Sequence, residues 1–274
     1  MMPIIILLLF ALAIKGLMMP GGLEGLKFLF LPRFSDLTAS SIVLALGHSF
    51  FTLSLGMGTM ITYGSYLDKK QNLIKSALWV IFLDTFIALL AGVAIFSTVF
   101  ALKADPAGGP GLIFFVLPSI FPQLAYGTIW STLFFSLLFM AALTSAISIL
   151  EVVTSYMIDQ KSWSRKKATL VFGSLITIVG VFCSLSMGGG INLTSWMDKT
   201  FFDFMDELSS KYMLPVGGLL TAVFVLKEWG VESFVSELGQ KIIGTKEDLL
   251  IFKIFFLISA LLIGFILFNE IILE

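Results

Sequence analysis

The chain has 274 residues, of which 58% are hydrophobic and 13% are charged, and its formal net charge is -1. Ordinary globular proteins carry about 25% charged residues, so this composition excludes a water-soluble domain and predicts an all-α integral membrane protein surrounded by lipid. The near-neutral charge gives no indication of nucleic-acid binding. The single Cys183 excludes an internal disulfide, and the single His48 excludes a multi-histidine metal centre.

Seven apolar runs are long enough, or nearly so, to cross a bilayer, which takes about 20 residues. The first run, residues 1–19, lacks the basic flank and cleavage site of a signal peptide. We expect a polar connection from Pro20 to about Ser41. The other six runs lie near residues 45–68, 76–102, 130–158, 168–185, 212–226 and 249–268.

The second run, residues 45–68, carries glycines and hydroxyl side chains at its centre. Gly56 and Gly58 flank Met57, and the conformational freedom of glycine allows a helix to open there. Open backbone is tolerated in hydrocarbon only where it lines a protected cavity, so we predict two helical pieces with a break at residues 54–58. The carbonyls freed by such a break can hold a cation, as in secondary transporters. Tight helix packing through small residues is the alternative explanation.

Three connections have a composition of their own. Residues 104–127 are rich in Gly and Pro yet apolar, which indicates short helical pieces that lie back on the bundle as a lid. Residues 186–210 are expected to form a loop. Residues 227–248 are amphipathic at helical spacing, which is typical of a helix on the membrane surface.

The basic residues are divided unevenly between the two sides of the membrane. If the loop at residues 68–72 faces the cytoplasm, that side receives most of the 17 Lys and Arg residues. By the positive-inside rule, the C-terminus then lies outside the cell inner (plasma) membrane, which the chain crosses several times.

Four segments carry a family resemblance: FFTLSLGMG with ITYGSYL (50–67), GPGLIFFVLPSIFPQ (109–123), AALTSAISILEVVTSYMID (141–159) and MLPVGGLL (213–220). In this order they resemble the neurotransmitter:sodium symporter family, in its bacterial branch, from the fifth to the eleventh span. The resemblance implies a partial leucine-transporter-like inverted-repeat fold of about seven transmembrane helices, one of them broken. It implies a single transmembrane domain over residues 1–274, with the end of the first repeat at 1–41, the second repeat at 42–228 and the last span at 249–270.

The function implied by the resemblance is the C-terminal part of a sodium-coupled amino-acid symporter. Nothing in the chain resembles the first four spans of the family, so we expect the chain to be incomplete without them. Either a separate chain or the rest of a split gene is expected to supply them. The alternative is a truncated, non-transporting membrane remnant or interaction module. Neither an intramembrane enzyme nor a channel is expected, because the sequence contains no HExxH or GxSxG motif and no repeated polar motif that could form a ring.

The resemblance implies two sodium sites. Thr52 and Asp84 match ligands of the first, and a carboxylate within an apolar run indicates function in its own right because it is costly in hydrocarbon. Ala141, Thr144 and Ser145 match the second site. One carbonyl and two hydroxyls on adjacent turns can converge on an ion, although packing through small residues explains the same pattern without the family.

Asp84 also bears on chloride. A fixed carboxylate beside sodium already offsets the charge of the ion, so no chloride requirement is expected.

The resemblance also implies a substrate pocket and an outer gate. The positions that match the amino-acid pocket are Phe51, Ser54, Met57, Ser145 and Ile149. Phe51 matches an aromatic gate over the substrate, and Asp206 matches the outer-gate aspartate. As sequence features alone, most of these are ordinary core residue types, and Met57 is typical of gap-filling packing.

Overall fold

All the regular elements in the described part of the chain are helical, which confirms the all-α prediction. The structure, a computed structural model, describes residues 2–68, 70–106, 113–114, 118, 121–123, 125–187, 199–238 and 246–273. The α-helices in these ranges are α1 (Met2–Met18), α2 (Gly22–Phe30), α3 (Ala39–Thr52), α4 (Thr59–Ser65), α5 (Leu73–Ala101), α6 (Gly127–Lys161), α7 (Arg165–Met187), α8 (Phe201–Glu207), α9 (Leu214–Phe224), α10 (Val231–Glu237) and α11 (Lys246–Leu273).

Five helical segments in the described residues are long and apolar enough to cross a membrane, or six if the bent α1–α2 pair is one span. The remaining expected span is the α3–α4 segment, whose helices of 14 and 7 residues are each too short to cross alone. The multi-pass membrane prediction is therefore confirmed.

The chain folds into two compact units. Unit 1 consists of Met1–Leu37 and Val80–Ala146, and unit 2 of Thr38–Trp79 and Ile147–Glu274. The single domain with two repeats that the sequence implied stays a prediction.

In unit 1 the connection after the first span is helical, so the expected polar connection from residue 20 is wrong over α2. The chain turns by 113° between α1 and α2, and Gly21 has a φ of 88° that favours glycine. α2 packs on α5, because a Cβ at Gly25 would overlap the Phe96 carbonyl and the Phe28 ring lies 5.1 Å from that of Phe96.

The core of unit 1 is a cluster of buried apolar side chains from α1, α5, α6 and one 3-10 turn. Its members are Ile5, Leu9, Leu12, Ala13, Ala94, Val99, Phe121, Phe134 and Leu137. The turn, Phe121–Gln123, belongs to the connection expected to form a lid, and half of that connection lies outside the described residues. Phe121 packs on Phe134 with ring centroids 5.6 Å apart, so this end of the connection is anchored in the core.

In unit 2 the segment at residues 45–67 forms two helices with a break between them, which confirms the sequence prediction. α3 ends in a Schellman motif: the Leu55 N–H donates to the Phe50 carbonyl at 2.8 Å and the Ser54 N–H to the Phe51 carbonyl at 3.1 Å. Ser54 takes the left-handed position with a φ of 54°. Gly58, with a φ of 82°, is the N-cap residue that precedes α4.

Glycines on both sides hold the break against α9. A Cβ at Gly56 would overlap the Leu214 carbonyl oxygen, and a Cβ at Gly217 would overlap the Gly56 carbonyl oxygen. At Gly218 a Cβ would meet the ring of Phe50. The break and α9 therefore approach backbone to backbone, which side chains at these positions would prevent.

The expected loop at residues 186–210 is wrong at its C-terminal end. The Asp203 N–H donates to the Thr200 hydroxyl at 3.1 Å and the Thr200 N–H to the Asp203 carboxylate at 3.2 Å. This capping box starts α8, well before the apolar run begins. α8 continues through π-helical turns at Leu208–Met213 and Val225–Trp229, on either side of α9, as one span from Phe201 to Trp229.

α10 does not turn its apolar face to the membrane surface as expected. Val231 and Val235 are buried, and the ring of Phe234 packs edge-on against Phe256 of α11 with centroids 4.9 Å apart. The face is covered by protein because α11 runs beside it. Residues 239–245 of this stretch lie outside the described residues.

We expect Gly217→Ala to lower the thermal unfolding temperature of the purified chain. The added Cβ would meet the Gly56 carbonyl oxygen, although alanine favours a helix over glycine by about 1 kcal/mol. Gly264→Ala in α11 is the matched control, because a Cβ there meets no atom within 4 Å. Equal unfolding temperatures for the two variants would contradict the close approach.

Candidate functional site

The break between α3 and α4 exposes a row of backbone acceptors. No backbone N–H of the described residues donates to the carbonyl oxygens of residues 52–57. Because hydrocarbon offers no water to such groups, they require a protein, ion or ligand partner. The break therefore has the acceptors that a cation or an ammonium group needs.

The two residues predicted for the first sodium site belong to different units. Thr52 ends α3 in unit 2, and its hydroxyl donates to the Ser49 carbonyl at 3.4 Å, a long contact within its own helix. Asp84 lies half-buried on α5 in unit 1. Its carboxylate makes no hydrogen bond or ion pair with any residue that the structure describes.

The residues predicted for the second sodium site lie on adjacent turns of α6 in unit 1. The Thr144 hydroxyl donates to the Ala141 carbonyl at 2.8 Å, and Ser145 follows on the exposed side. This bond is the default for threonine in a helix, and it also places two oxygens close enough to share one cation. Among the described residues, no group of three His, Cys, Asp or Glu side chains could hold a metal ion.

Both predicted gate residues line one cavity of unit 2, which we call the Phe51 cavity. Its volume is about 360 Å³. The lining residues are Leu44, Gly47, His48, Phe51, Asp206, Ser210, Lys211, Pro215 and Ile266. Phe51 is 53% exposed, so its ring is accessible from this space. The structure thus brings together an aromatic and a carboxylate that are far apart in the sequence, and adds His48 and Lys211 to them.

The Glu207 carboxylate, next to Asp206, accepts hydrogen bonds from two lysine side chains. The Lys199 ammonium lies 2.5 Å from one carboxylate oxygen and the Lys211 ammonium 3.1 Å from the other. Lys211, which lines the Phe51 cavity, is therefore ion-paired with Glu207.

Ser54 lines a second cavity of unit 2, the Ser54 cavity, of about 550 Å³ between α3, α4, α9 and α11. Its walls are apolar apart from the hydroxyls of Ser54, Thr221 and Ser259, the last two of which donate within their own helices. The predicted pocket residues are thus divided. Phe51 and Ser54 line different cavities. Met57 packs against the unit 2 core.

The last two predicted pocket residues, Ser145 and Ile149, are exposed on α6 in units 1 and 2 respectively.

A polar network in unit 2 was missed in the sequence. The Glu151 carboxylate of α6 accepts a hydrogen bond from the Tyr66 hydroxyl at 2.7 Å. It also accepts one from each terminal nitrogen of Arg165, at 2.8 and 2.9 Å. The fork onto the carboxylate is the strong geometry for this pair. The signal was available, because Glu151 is a carboxylate in an apolar run. Its partners were not, since Tyr66 lies 85 positions away in the sequence.

Comparison with known proteins gives consistent matches. The family model described as Sodium:neurotransmitter symporter family matches residues 1–273. An uncharacterized sodium-dependent transporter, YhdH of Bacillus subtilis (strain 168), is 43% identical over 225 residues, which are 82% of this chain and 50% of that protein. An uncharacterized sodium-dependent transporter of Haemophilus influenzae is 35% identical over 230 residues, 82% of this chain and 49% of that protein.

Among solved structures, the crystal structure of MhsT in complex with L-phenylalanine is similar with a TM-score of 0.83 and 39% sequence identity. The match covers 97% of this chain and 61% of that chain. This chain spans about half the length of the curated relatives it matches. The similarity in fold confirms the leucine-transporter-like architecture implied by the sequence.

We expect Glu151→Gln and Arg165→Gln each to lower the thermal unfolding temperature, because each leaves its former partner without a counter-charge. The unfolding temperature of the double variant should fall by less than the sum of the two single decreases, and a double-mutant cycle measures this difference. Tyr66→Phe, which removes one hydrogen bond and no charge, is the control and should have the smallest effect. Strictly additive losses would contradict the network.

Proposed function

This chain belongs to the sodium:neurotransmitter symporter family, and from that premise we propose that it forms part of a sodium-coupled amino-acid symporter. The observation that carries the proposal is the break at residues 53–58, whose carbonyls at 53–57 lack backbone donors among the described residues. The break supplies acceptors for an ammonium group and a cation in a medium that otherwise offers none. The relatives are transporters, and we propose no enzymatic activity.

We propose that the substrate is an amino acid held by the break. Its ammonium would be bound by the freed carbonyls near Ser54, and its side chain would pack against Phe51, Met57, Ser145 and Ile149. The similar protein MhsT was crystallised in complex with L-phenylalanine, which supports a zwitterionic substrate here. Phe51 and Asp206, which line one cavity, would act as the gate on the outer side.

We propose sodium as the coupling ion. Thr52 contributes a hydroxyl and a carbonyl, and Asp84 contributes a charged oxygen. On α6, Ala141 contributes its carbonyl, and Thr144 and Ser145 contribute their hydroxyls. Rotation of the Thr144 hydroxyl away from Ala141 would free both oxygens for one ion, so a bond of 2.8 Å is compatible with the ion-free form of such a site.

We propose three further properties. Chloride is unnecessary, because Asp84 supplies the negative charge beside sodium. The protein lies in the inner (plasma) membrane with its C-terminus outside, as the distribution of lysines and arginines supports. Transport also requires the first four spans of the family, which is supported by the match of this chain to about half of each curated relative.

Uptake into proteoliposomes tests the proposal. The chain, reconstituted with a polypeptide that supplies the first four spans, should accumulate radiolabelled L-phenylalanine or another amino acid when an inward sodium gradient is imposed. A potassium gradient should give none, and replacing chloride with gluconate should change nothing. The chain reconstituted alone should show no uptake. Absence of sodium-driven uptake in the complete mixture would favour a non-transporting interaction module, and a strict chloride requirement would contradict the role of Asp84.

In the same assay, Asp84→Ala should raise the sodium concentration for half-maximal uptake by at least about tenfold. The substitution removes both a ligand oxygen and its charge, and a single ligand contact to a charged group contributes on the order of 1.5–3 kcal/mol. Thr85→Ala is the control, since its hydroxyl donates to the Ile81 carbonyl of its own helix. Equal sodium dependence in the Asp84 variant and the parent would remove Asp84 from the site.

A further inference from the structure

The turn between α6 and α7, residues 159–167, concentrates basic side chains at the end of two membrane spans. Lys161 is the last residue of α6 and Arg165 the first of α7, and both helices are long and apolar enough to span. Lys166 and Lys167 follow Arg165, and Asp159 is the acidic residue of the segment. The connection is too short to move away from the spans, so its charges stay at the membrane surface.

Three of the four basic residues of the turn are available to a ligand. Arg165 is committed to Glu151, since both of its terminal nitrogens lie within 2.9 Å of the carboxylate. The side chains of Lys161, Lys166 and Lys167 are exposed. The turn therefore presents three ammonium groups against one carboxylate.

An aromatic side chain anchors the turn. The Lys167 ammonium lies 4.3 Å from the centroid of the Trp163 ring, and that ring also packs towards Phe172 of α7 at 6.3 Å. Tryptophan is enriched where membrane meets water, because its ring is apolar and its N–H is polar. A cation over its face fixes Lys167 in the same layer.

Exposed aromatic and aliphatic side chains continue from the turn along both spans. Tyr156 of α6 is 57% exposed and Leu170 of α7 is 60% exposed. Positive charge at the surface with apolar surface directly beneath it matches the two halves of a phospholipid.

We propose that the 159–167 turn binds the headgroups of anionic phospholipids, with their acyl chains along α6 and α7. Lys161, Lys166 and Lys167 contact the negatively charged headgroup, and Trp163 lies at the level of the glycerol. Each juxtamembrane lysine adds to the attraction, and salt screens it. The inference does not depend on transport activity.

The test uses the purified chain in detergent, titrated with phospholipids brominated near the top of the acyl chain, which quench tryptophan fluorescence. Brominated phosphatidylglycerol should quench at lower concentration than brominated phosphatidylcholine, and Trp163→Phe should remove this selective part of the signal. Lys161→Gln, Lys166→Gln and Lys167→Gln combined should weaken the apparent affinity for phosphatidylglycerol by at least about tenfold. The corresponding triple Arg variant should retain it, which separates lost charge from misfolding.

The matched control removes three exposed lysines elsewhere in unit 2: Lys70→Gln, Lys75→Gln and Lys227→Gln. Its affinity should stay within about twofold of the parent, since the overall charge change is the same and the turn is intact. The proposal would be overturned if both triple Gln variants lost the same affinity for phosphatidylglycerol, or if the two brominated lipids quenched equally. Competition by soluble glycerol phosphate as effective as by the lipid would also overturn it, because the ligand would then be a free phosphate.

Discussion

Hydrocarbon contains no water to satisfy a backbone carbonyl, and the unit 2 structure depends on how it meets that constraint at the α3–α4 break. A continuous helix would satisfy residues 52–57 internally, but here their carbonyls receive no backbone donor from the described residues. The break is held open by glycine: Gly56 and Gly217 lie so close that neither tolerates a Cβ. Backbone contact replaces side-chain packing, so the open conformation has little room to close into a helix.

The helix that holds the break also leads into residues that line the Phe51 cavity. α9 is continuous with the π-helical turn Leu208–Met213, and Ser210 and Lys211 of that turn line the cavity that contains Phe51 and Asp206. π-turns within α-helices occur often at functional sites, because the extra residue changes the direction of side chains without ending the helix. A displacement of α9 would therefore change the backbone contact at the break, through Gly217, and the lining of the Phe51 cavity, through Lys211.

The sequence predicted features whose cause is local and missed those whose cause is distant. The break was predictable because glycines at 56 and 58 remove their own side chains from a helix, and the end of α3 follows within the same few residues. The start of α8 differs from the prediction although its capping box is local. The prediction placed the helix start at the beginning of the apolar run, whereas the Thr200–Asp203 spacing marks the earlier start. The approach of Gly56 to Gly217 could not be predicted, since either glycine alone is compatible with many partners.

Two carboxylates in apolar runs show why residue type alone did not separate structural from functional positions. Either one costs about 3 kcal/mol at the centre of a bilayer unless it is compensated. Glu151 is compensated by Tyr66 and Arg165, so its presence is explained within unit 2. Asp84 has no such partner among the described residues. The two look alike in the sequence, and the difference between them appears only once the partners of each are placed.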